Sequence, residues 1–333
     1  MIKKIILLLV VGSSIILSSC EKDKLVTIDE NSEDILSTID GSLDVWEVEA
    51  IEGGVNIIKY KGTETNIVFP TTVEGELVLG VGEAHQNITI GMVPETLFNE
   101  IEQNVVSVDL SNSKYLLAIN EYAFQGSDAL ESVILPESII NIKKAAFSDC
   151  YYLKNINLPQ GLVNIGNRAF LGCYFSEAII PNSVKEIGYQ AFCYCEELET
   201  VVIPEGITVL NSIFSDCVEL KNVTLPESLT EIQPNAFQGC ITLEHITIPS
   251  NVTLIGAGAF YGCTELSTVE MKAPSVTLQQ GFNESTNRDY TGVFAETPLT
   301  DENRNTGEVQ YPLGAVYSTQ EYWSDLDVIW KPL

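Results

Sequence analysis

The chain has 333 residues, 45% of them hydrophobic, which is enough to build a large buried core and excludes disorder throughout. Its 46 Asp and Glu residues far outnumber its 17 Lys and Arg residues, so the formal net charge is -29 at pH 7. Because such a surface repels phosphate backbones, nucleic acids are excluded as partners.

The N-terminus has the three parts of an export signal. The positive start "MIKK" precedes the apolar run "IILLLVVGSSII", and the small residues of "LSSC" then end at Cys20. The apolar run has about a dozen residues, fewer than the roughly 20 that a permanent membrane-spanning helix needs. We therefore predict a signal peptide at residues 1–19 that is removed on export.

The motif "LSSC" resembles the lipobox of bacterial lipoproteins, in which the cysteine becomes the acylated N-terminus. The resemblance implies lipid attachment at Cys20, followed by an acidic tether over residues 20–44. The segment "CEKDK" is similar to the acid-containing signals that direct lipoproteins to the surface of Bacteroidetes-like bacteria. We expect an exported bacterial lipoprotein, anchored to the membrane through its N-terminal lipid and exposed on the outer membrane or cell surface. A soluble secreted product is the alternative.

The segment "MVPETLFNEIEQN", residues 92–104, interrupts the pattern of the chain before its regular part begins. Pro94 suits the first turn of a helix, and Leu97, Phe98 and Ile101 share one side of it. We predict a short packed helix here.

The middle of the chain repeats every 22 or 23 residues. The prolines of the "LP" and "IP" motifs keep the same spacing as a series of phenylalanines. These phenylalanines are Phe124, Phe147, Phe170, Phe192, Phe214, Phe237 and Phe260. A fixed period of this length indicates a solenoid, in which each unit stacks on its neighbours. We place the repeats at residues 106–270.

One unit, "LKNVTLPESLTEIQPNAFQGCIT", shows how a coil is expected to form. Its "NVTL" piece alternates as a half-buried strand does, and Pro226 ends that strand because proline has no N–H to donate to a sheet. Stacked units would place equivalent strands side by side in a parallel sheet, about 4.8 Å apart.

The unit resembles the BspA-like leucine-rich repeats of bacterial surface proteins, and "IPNSVKEIGYQAF" and "IPSNVTLIGAGAF" are nearly ideal copies. The resemblance implies a repeat solenoid: a leucine-rich-repeat-like right-handed coil with a parallel β-sheet, short helical or 3-10 turns on the other side, and terminal caps. An N-terminal cap with degenerate repeats would occupy residues 45–105, with its opening hairpin in "GGVNIIKYKGTETNIVFP". A C-terminal degenerate repeat and cap, containing "GVFAETPL" and "YPLGAVYSTQEYWSDL", would occupy residues 271–333.

Six cysteines share one repeat position: Cys150, Cys173, Cys195, Cys217, Cys240 and Cys263. Stacking predicts a buried ladder of reduced thiols, which pack as small hydrophobic groups. Neighbours about 5 Å apart also fit the geometry of a disulfide, which is the alternative. A line of thiolates is not a tetrahedron, so we expect neither a metal nor a cofactor. Cys193 lies outside this pattern, and we expect it on the surface.

The sequence offers little for catalysis. His85 replaces a core phenylalanine, and His245 lies on the outer face of a strand. Acidic neighbours such as Glu196 and Glu197 are expected by chance among so many acids, so no glycosidase pair is assigned. The segment "DENRNTGE" lacks the spacing of a calcium loop, and no nucleophile elbow or phosphate loop occurs. We expect no enzyme activity and assign no catalytic or metal-binding residue.

Strand alternation predicts a mostly uncharged solvent face on the sheet. This strand face consists of Ser132, Ile134, Asn155, Asn157, Glu177, Ile179, Thr200, Val202, Asn222, Thr224, His245 and Thr247. The candidate binding residues are seven of its polar members: Asn155, Asn157, Thr200, Asn222, Thr224, His245 and Thr247. The alternative is that strand surfaces simply favour Thr, Val and Ile.

The expected function is that of a non-enzymatic cell-surface lipoprotein whose repeats mediate protein binding, adhesion or recognition. The alternative is a glycan-binding or accessory lipoprotein of a nutrient-uptake system. Aromatic residues near the cysteine turns favour that alternative: Tyr151, Tyr152, Tyr174, Phe175, Tyr189, Tyr194 and Tyr261. Among them Phe175 occupies a core leucine position and is expected to be buried.

Overall fold

The computed structural model describes residues 40–82 and 105–279 without interruption. It also describes the strand segments 14–18, 25–29, 281–283, 288–290, 308–311 and 329–332, and residues 293, 294 and 297. Cys20, His85 and the helix expected at residues 92–104 lie outside the described residues.

The repeats form a solenoid of short parallel strands, as the sequence predicts. Each coil contributes two strands rather than one, and the strands of successive coils align in two columns. The helical or 3-10 turns expected opposite the sheet are not found in the described part of the chain. A second column of strands and hydrogen-bonded turns take their place.

The first strand column contains strands of two to four residues and carries the predicted strand face. Its members are β6 (Asn66–Val68), β9 (Ser107–Asp109), β11 (Ser132–Ile134), β13 (Asn155–Ile156), β15 (Glu177–Ile179), β17 (Thr200–Val202), β19 (Asn222–Thr224), β21 (His245–Ile248), β23 (Thr268–Met271), β27 (Glu308–Tyr311) and β28 (Ile329–Pro332). Hydrogen bonds divide the column into three parallel sheets, β6 to β13, β15 to β19 and β21 to β28.

The second strand column contains mostly two-residue strands. Its members are β8 (Glu76–Val81), β10 (Ala118–Ile119), β12 (Asn141–Ile142), β14 (Asn164–Ile165), β16 (Glu186–Ile187), β18 (Val209–Leu210), β20 (Glu231–Ile232), β22 (Leu254–Ile255) and β24 (Thr277–Leu278). One parallel sheet runs from β8 to β16, and a second runs from β18 to β24.

An antiparallel hairpin, β4 (Trp46–Ile51) and β5 (Gly54–Tyr60), covers the N-terminal edge of the second column. It begins earlier in the chain than the segment predicted for it, which contains only its second strand. Two further strand pairs form separate antiparallel sheets: β1 (Ser14–Ser18) with β2 (Leu25–Asp29), and β25 (Gly281–Asn283) with β26 (Arg288–Tyr290). At the N-terminal edge, β3 (Asp40–Gly41) pairs with β7 (Thr72–Val73).

The seven repeat phenylalanines form one continuous stack inside the solenoid. All are fully buried, and neighbouring ring centroids lie 5.0 to 5.8 Å apart. Phe294 extends this stack, 5.3 Å from Phe260, although 34 residues separate the two in sequence. The coil that contains Phe294 therefore continues the core after an insertion.

Each coil turns sharply on both sides of its phenylalanine. The residue two positions before the ring has a positive φ in every coil from Phe124 to Phe260, and so does a glycine, Asp or Tyr two positions after it. Left-handed backbone cannot continue a right-handed helix. This explains why strands and turns replace the expected helical segments.

A missing residue accompanies the first gap in hydrogen bonding. Eight residues separate Cys173 from Pro181, against nine in the preceding coil, and the first column is interrupted between β13 and β15. Phe175 occupies the shortened segment and packs edge-on against Phe170 and Phe192. Its predicted burial is confirmed.

A second missing residue accompanies a gap in the other column. Pro204 lies ten residues before Phe214, whereas Pro181 lies eleven before Phe192. Pairing stops here between β16 and β18, while the two phenylalanine rings remain stacked at 5.8 Å. No missing residue accompanies the third gap, between β19 and β21.

Candidate binding surfaces

The structure places the predicted strand face on the solvent side of the first strand column. Most of its seven candidate residues are exposed, and Thr200 and Thr247 are half-buried. Register brings some of them together, since Thr200 lies opposite Asn222 and Val202 opposite Thr224. The gaps on either side of β15 to β19 separate this group from Asn155 and from His245.

Hydrogen bonds occupy several of the polar candidates. The side chain of Asn157 binds the backbone of Leu135 twice: its Oδ1 accepts from the N–H at 2.7 Å and its Nδ2 donates to the carbonyl at 2.9 Å. Asn157 thereby extends the pairing of β11 and β13. His245 Nε2 lies 3.2 Å from Thr247 Oγ1, which donates to Glu270 at 3.1 Å. These side chains are held in place by their neighbours in the column.

Three apolar members of the strand face are well exposed. Ile179 is 68% exposed, Val202 50% and Ile134 49%. Ile179 and Val202 lie opposite each other in adjacent strands. Strand alternation predicts their place on this face, although the seven candidate binding residues are all polar. Their exposure on so acidic a protein makes them the clearest feature of this surface.

Four exposed tyrosines lie at the cysteine turns: Tyr151, Tyr152, Tyr174 and Tyr194. Acidic neighbours interact with the hydroxyls of Tyr151, Tyr174 and Tyr194. Tyr151 donates to Asp149 Oδ1 at 3.2 Å, and a hydrogen bond to Glu197 is the main cause of the raised pKa of Tyr174. The nearby charge of Asp216 is the main cause of the raised pKa of Tyr194. The raised pKa values keep the hydroxyls of Tyr151, Tyr174 and Tyr194 protonated at neutral pH.

The six repeat cysteines form a buried ladder of free thiols. Each Sγ lies 3.0 to 3.2 Å from the carbonyl oxygen of the phenylalanine in the preceding coil, to which it donates. Burial is the main cause of a raised pKa at five of them: Cys150, Cys173, Cys195, Cys217 and Cys240. The ladder therefore joins neighbouring coils, and these five thiols present no reactive thiolate.

The expectation that Cys193 is exposed is wrong. Its side chain is buried, and burial is the main cause of a pKa raised to about 11. The side chain packs toward Ser215 of the next coil, to which it is hydrogen-bonded. The same repeat position is buried at Ser148 and Ser215 and half-buried at the other coils, so stacking covers it throughout.

The described residues contain neither a metal-binding cluster nor a membrane-spanning helix. Within the described residues, no three His, Cys, Asp or Glu side chains lie close enough together to hold a metal ion. The same part of the chain has no helix of the length and apolarity required to cross a bilayer.

The stacked coils, their phenylalanine and cysteine positions and their two strand columns define a leucine-rich repeat solenoid. The sequence profile described as "BspA type Leucine rich repeat region" matches residues 117–212 and 207–288, with six copies. This match covers more than half of the chain, and the protein belongs to that family. No curated protein sequence matches it significantly.

Among solved structures, a leucine-rich repeat protein from Bacteroides ovatus is similar over 90% of this chain and 76% of its own, with 25% identity and a TM-score of 0.56. A leucine-rich repeat protein from T. pallidum matches 67% of this chain and 89% of its own, with 26% identity and a TM-score of 0.46. A leucine rich cell surface protein from Faecalibacterium prausnitzii matches 85% and 96%, with 18% identity and a TM-score of 0.28.

Proposed function

We propose that this protein is a non-enzymatic, lipid-anchored surface protein that binds another protein through its first strand column. The single observation that supports this proposal is the pair of exposed apolar side chains, Ile179 and Val202, in register on adjacent strands. Apolar groups that face solvent together are typical of interaction surfaces, and repeat proteins use such continuous faces for binding. A partner that carries basic groups around an apolar centre fits the acidic chain.

Anchoring at Cys20 is part of the proposal and depends on the lipobox-like motif. Acylation there would hold the solenoid at the cell surface, with residues 20–44 as the tether. Replacement of Cys20 by Ser should abolish the incorporation of labelled palmitate and release the protein from the membrane fraction.

The binding test compares two isoleucines of similar chemistry on different surfaces. The mature chain is applied to an array of extracellular proteins, and Ile179→Asp is expected to reduce binding at least tenfold because it places a charge at the centre of the face. Ile241→Asp is the control, since Ile241 is also exposed but lies outside the strand face. Equal loss in both variants, or in neither, would contradict the assignment of the face.

A second function is supported by the exposed tyrosines. Aromatic rings at the surface can stack on sugar rings, so glycan capture for a nutrient-uptake system is the alternative proposal. A glycan array run beside the protein array tests it. Binding to neutral glycans that is lost in Tyr152→Ala but kept in Ile179→Asp would favour this alternative.

A further inference from the structure

A groove of about 880 Å3 lies on the second strand column, around β14, β16 and β18. The lining side chains that matter here are Lys143, Asn164, Asn167, Lys185, Tyr189 and Asn211. None of them belongs to the strand face or to the group of four exposed tyrosines, so the groove is a separate feature of the molecule.

The groove lies where the second column is interrupted. In the preceding coils the Ile140 carbonyl accepts hydrogen bonds from Val163 and Asn164, and the next coil repeats this pattern. No equivalent backbone bonds join residues 185–187 to residues 208–211 within the described part of the chain. The gap therefore leaves backbone donors and acceptors facing the groove, as a ligand-binding site requires.

Its charge differs from that of the rest of the protein. Three lysines and two glutamates line a groove on a chain of net charge -29. Lys144 lies over the ring of Tyr122 at 5.1 Å. Lys143 and Lys185 form no salt bridge with any described residue, and each leaves its ammonium group available to an anion.

The other lining groups suit hydroxyl-bearing rings. Asn167 Oδ1 accepts the Tyr189 N–H at 2.8 Å, which fixes the amide and leaves its Nδ2 to donate. The Tyr189 ring is exposed beside it. A side chain at Gly188 would place its Cβ 2.4 Å from the backbone nitrogen of Asn167, so this part of the groove is bare backbone. Planar amides and an aromatic ring accommodate a sugar.

We propose that the groove binds a carboxylated oligosaccharide. Lys143 and Lys185 pair with its carboxylates, the Asn167 and Asn211 amides bind its hydroxyls, and Tyr189 packs on a ring face. A neutral glycan would leave the two ammonium groups without partners. An acidic peptide would use the lysines but would gain little from the amides and the tyrosine.

The test measures binding of trigalacturonic acid to the whole purified chain by titration calorimetry. The methyl ester of the same trisaccharide and pentaglutamate are the comparison ligands. We expect binding of the free acid in the millimolar range or tighter, and at least tenfold weaker binding of both comparison ligands. Undetectable binding of the acid, equal binding of its ester, or equal binding of pentaglutamate would each overturn the proposal.

Variants locate the site. Lys143→Gln with Lys185→Gln should weaken binding of the trisaccharide at least tenfold and reduce its dependence on salt, and Tyr189→Ala should weaken it severalfold. Lys154→Gln removes an exposed lysine from the other column and should leave affinity unchanged. Unfolding midpoints near that of the native chain exclude misfolding. Equal affinities in the double variant and the native chain would overturn the proposed location.

Discussion

The residue two positions before each stacked phenylalanine has a left-handed backbone, whatever its side chain. Arg168, Gln190 and Asn235 occupy this position in three coils, with φ between 56° and 62°. Such a conformation costs a residue other than glycine about 1–2 kcal/mol. The stacked rings and the leucines on either side pack against the turns. This packing between coils offsets the cost of the left-handed backbone conformation.

The cost of a left-handed backbone can be measured at two glycines where an added Cβ would not clash with any neighbour. An added Cβ at Gly262 would meet no atom closer than 3.8 Å, and one at Gly126 would meet none within 4 Å, although both have positive φ. We expect Gly262→Ala and Gly126→Ala each to lower the free energy of unfolding by about 1–2 kcal/mol.

Urea unfolding measures both values. Gly161→Ala is the matched control, because its φ is not positive and its nearest neighbour would lie at 3.4 Å, so its effect should stay within about 0.5 kcal/mol. If Gly126→Ala and Gly262→Ala lowered the free energy of unfolding by no more than Gly161→Ala does, the turns would be shown to adapt to a side chain.

The coil is the structural unit of this fold. Side-chain packing defines where a coil lies better than the spacing of residues in the sequence does. Phe294 belongs to the stack although it follows Phe260 by 34 residues, and its backbone neighbour Val293 accepts the Phe260 N–H at 2.9 Å. A coil thus tolerates an insertion as long as its ring and its turn keep their places. By contrast, two of the three gaps in strand pairing coincide with one missing residue.

Removal of the last ring tests whether this coil is part of the cooperative core. Phe294→Ala should lower the free energy of unfolding by about 3–5 kcal/mol, because the ring is fully buried and the cavity would remain. Tyr152→Ala, at an exposed ring, should cost less than about 0.5 kcal/mol. A cost for Phe294→Ala no greater than that of Tyr152→Ala would show that the final coil unfolds independently.

At the scale of the whole molecule, the described residues share one interior that runs from the N-terminal hairpin to Val309, and the cysteine ladder extends through six of its coils. Five ladder thiols have pKa values raised by burial, so the folded protein keeps protons that the unfolded chain releases. The contribution of these thiols to the free energy of unfolding is therefore fully present below about pH 8.5, and it is lost as the pH rises further.

The slope of stability against pH shows whether the buried thiols cause this decline. Each of these five thiols should remove about 1.4 kcal/mol of unfolding free energy per pH unit above the pKa of the unfolded chain. Urea unfolding between pH 7.5 and 9.5 should show this decline, and Cys217→Ala should make it shallower by one thiol's share while lowering stability at every pH. An unchanged slope in the variant would mean that other groups cause the decline.

The sequence by itself determined the period, the interior positions and the outer face of the first strand column. It could do so because the same local pattern of apolar and polar residues recurs in every coil, so that each copy supports the interpretation of the others. Phe175 shows the strength of this signal, since a single substitution at a core position was recognised as buried.

Tertiary structure alone decided the second strand column, the burial of Cys193, the place of Phe294 in the stack and the groove at the gap between β16 and β18. These features depend on how far one coil is shifted against the next, across more than 20 residues of sequence. A missing or inserted residue changes that shift. The local pattern of side chains does not show whether the backbones of adjacent coils can still form hydrogen bonds.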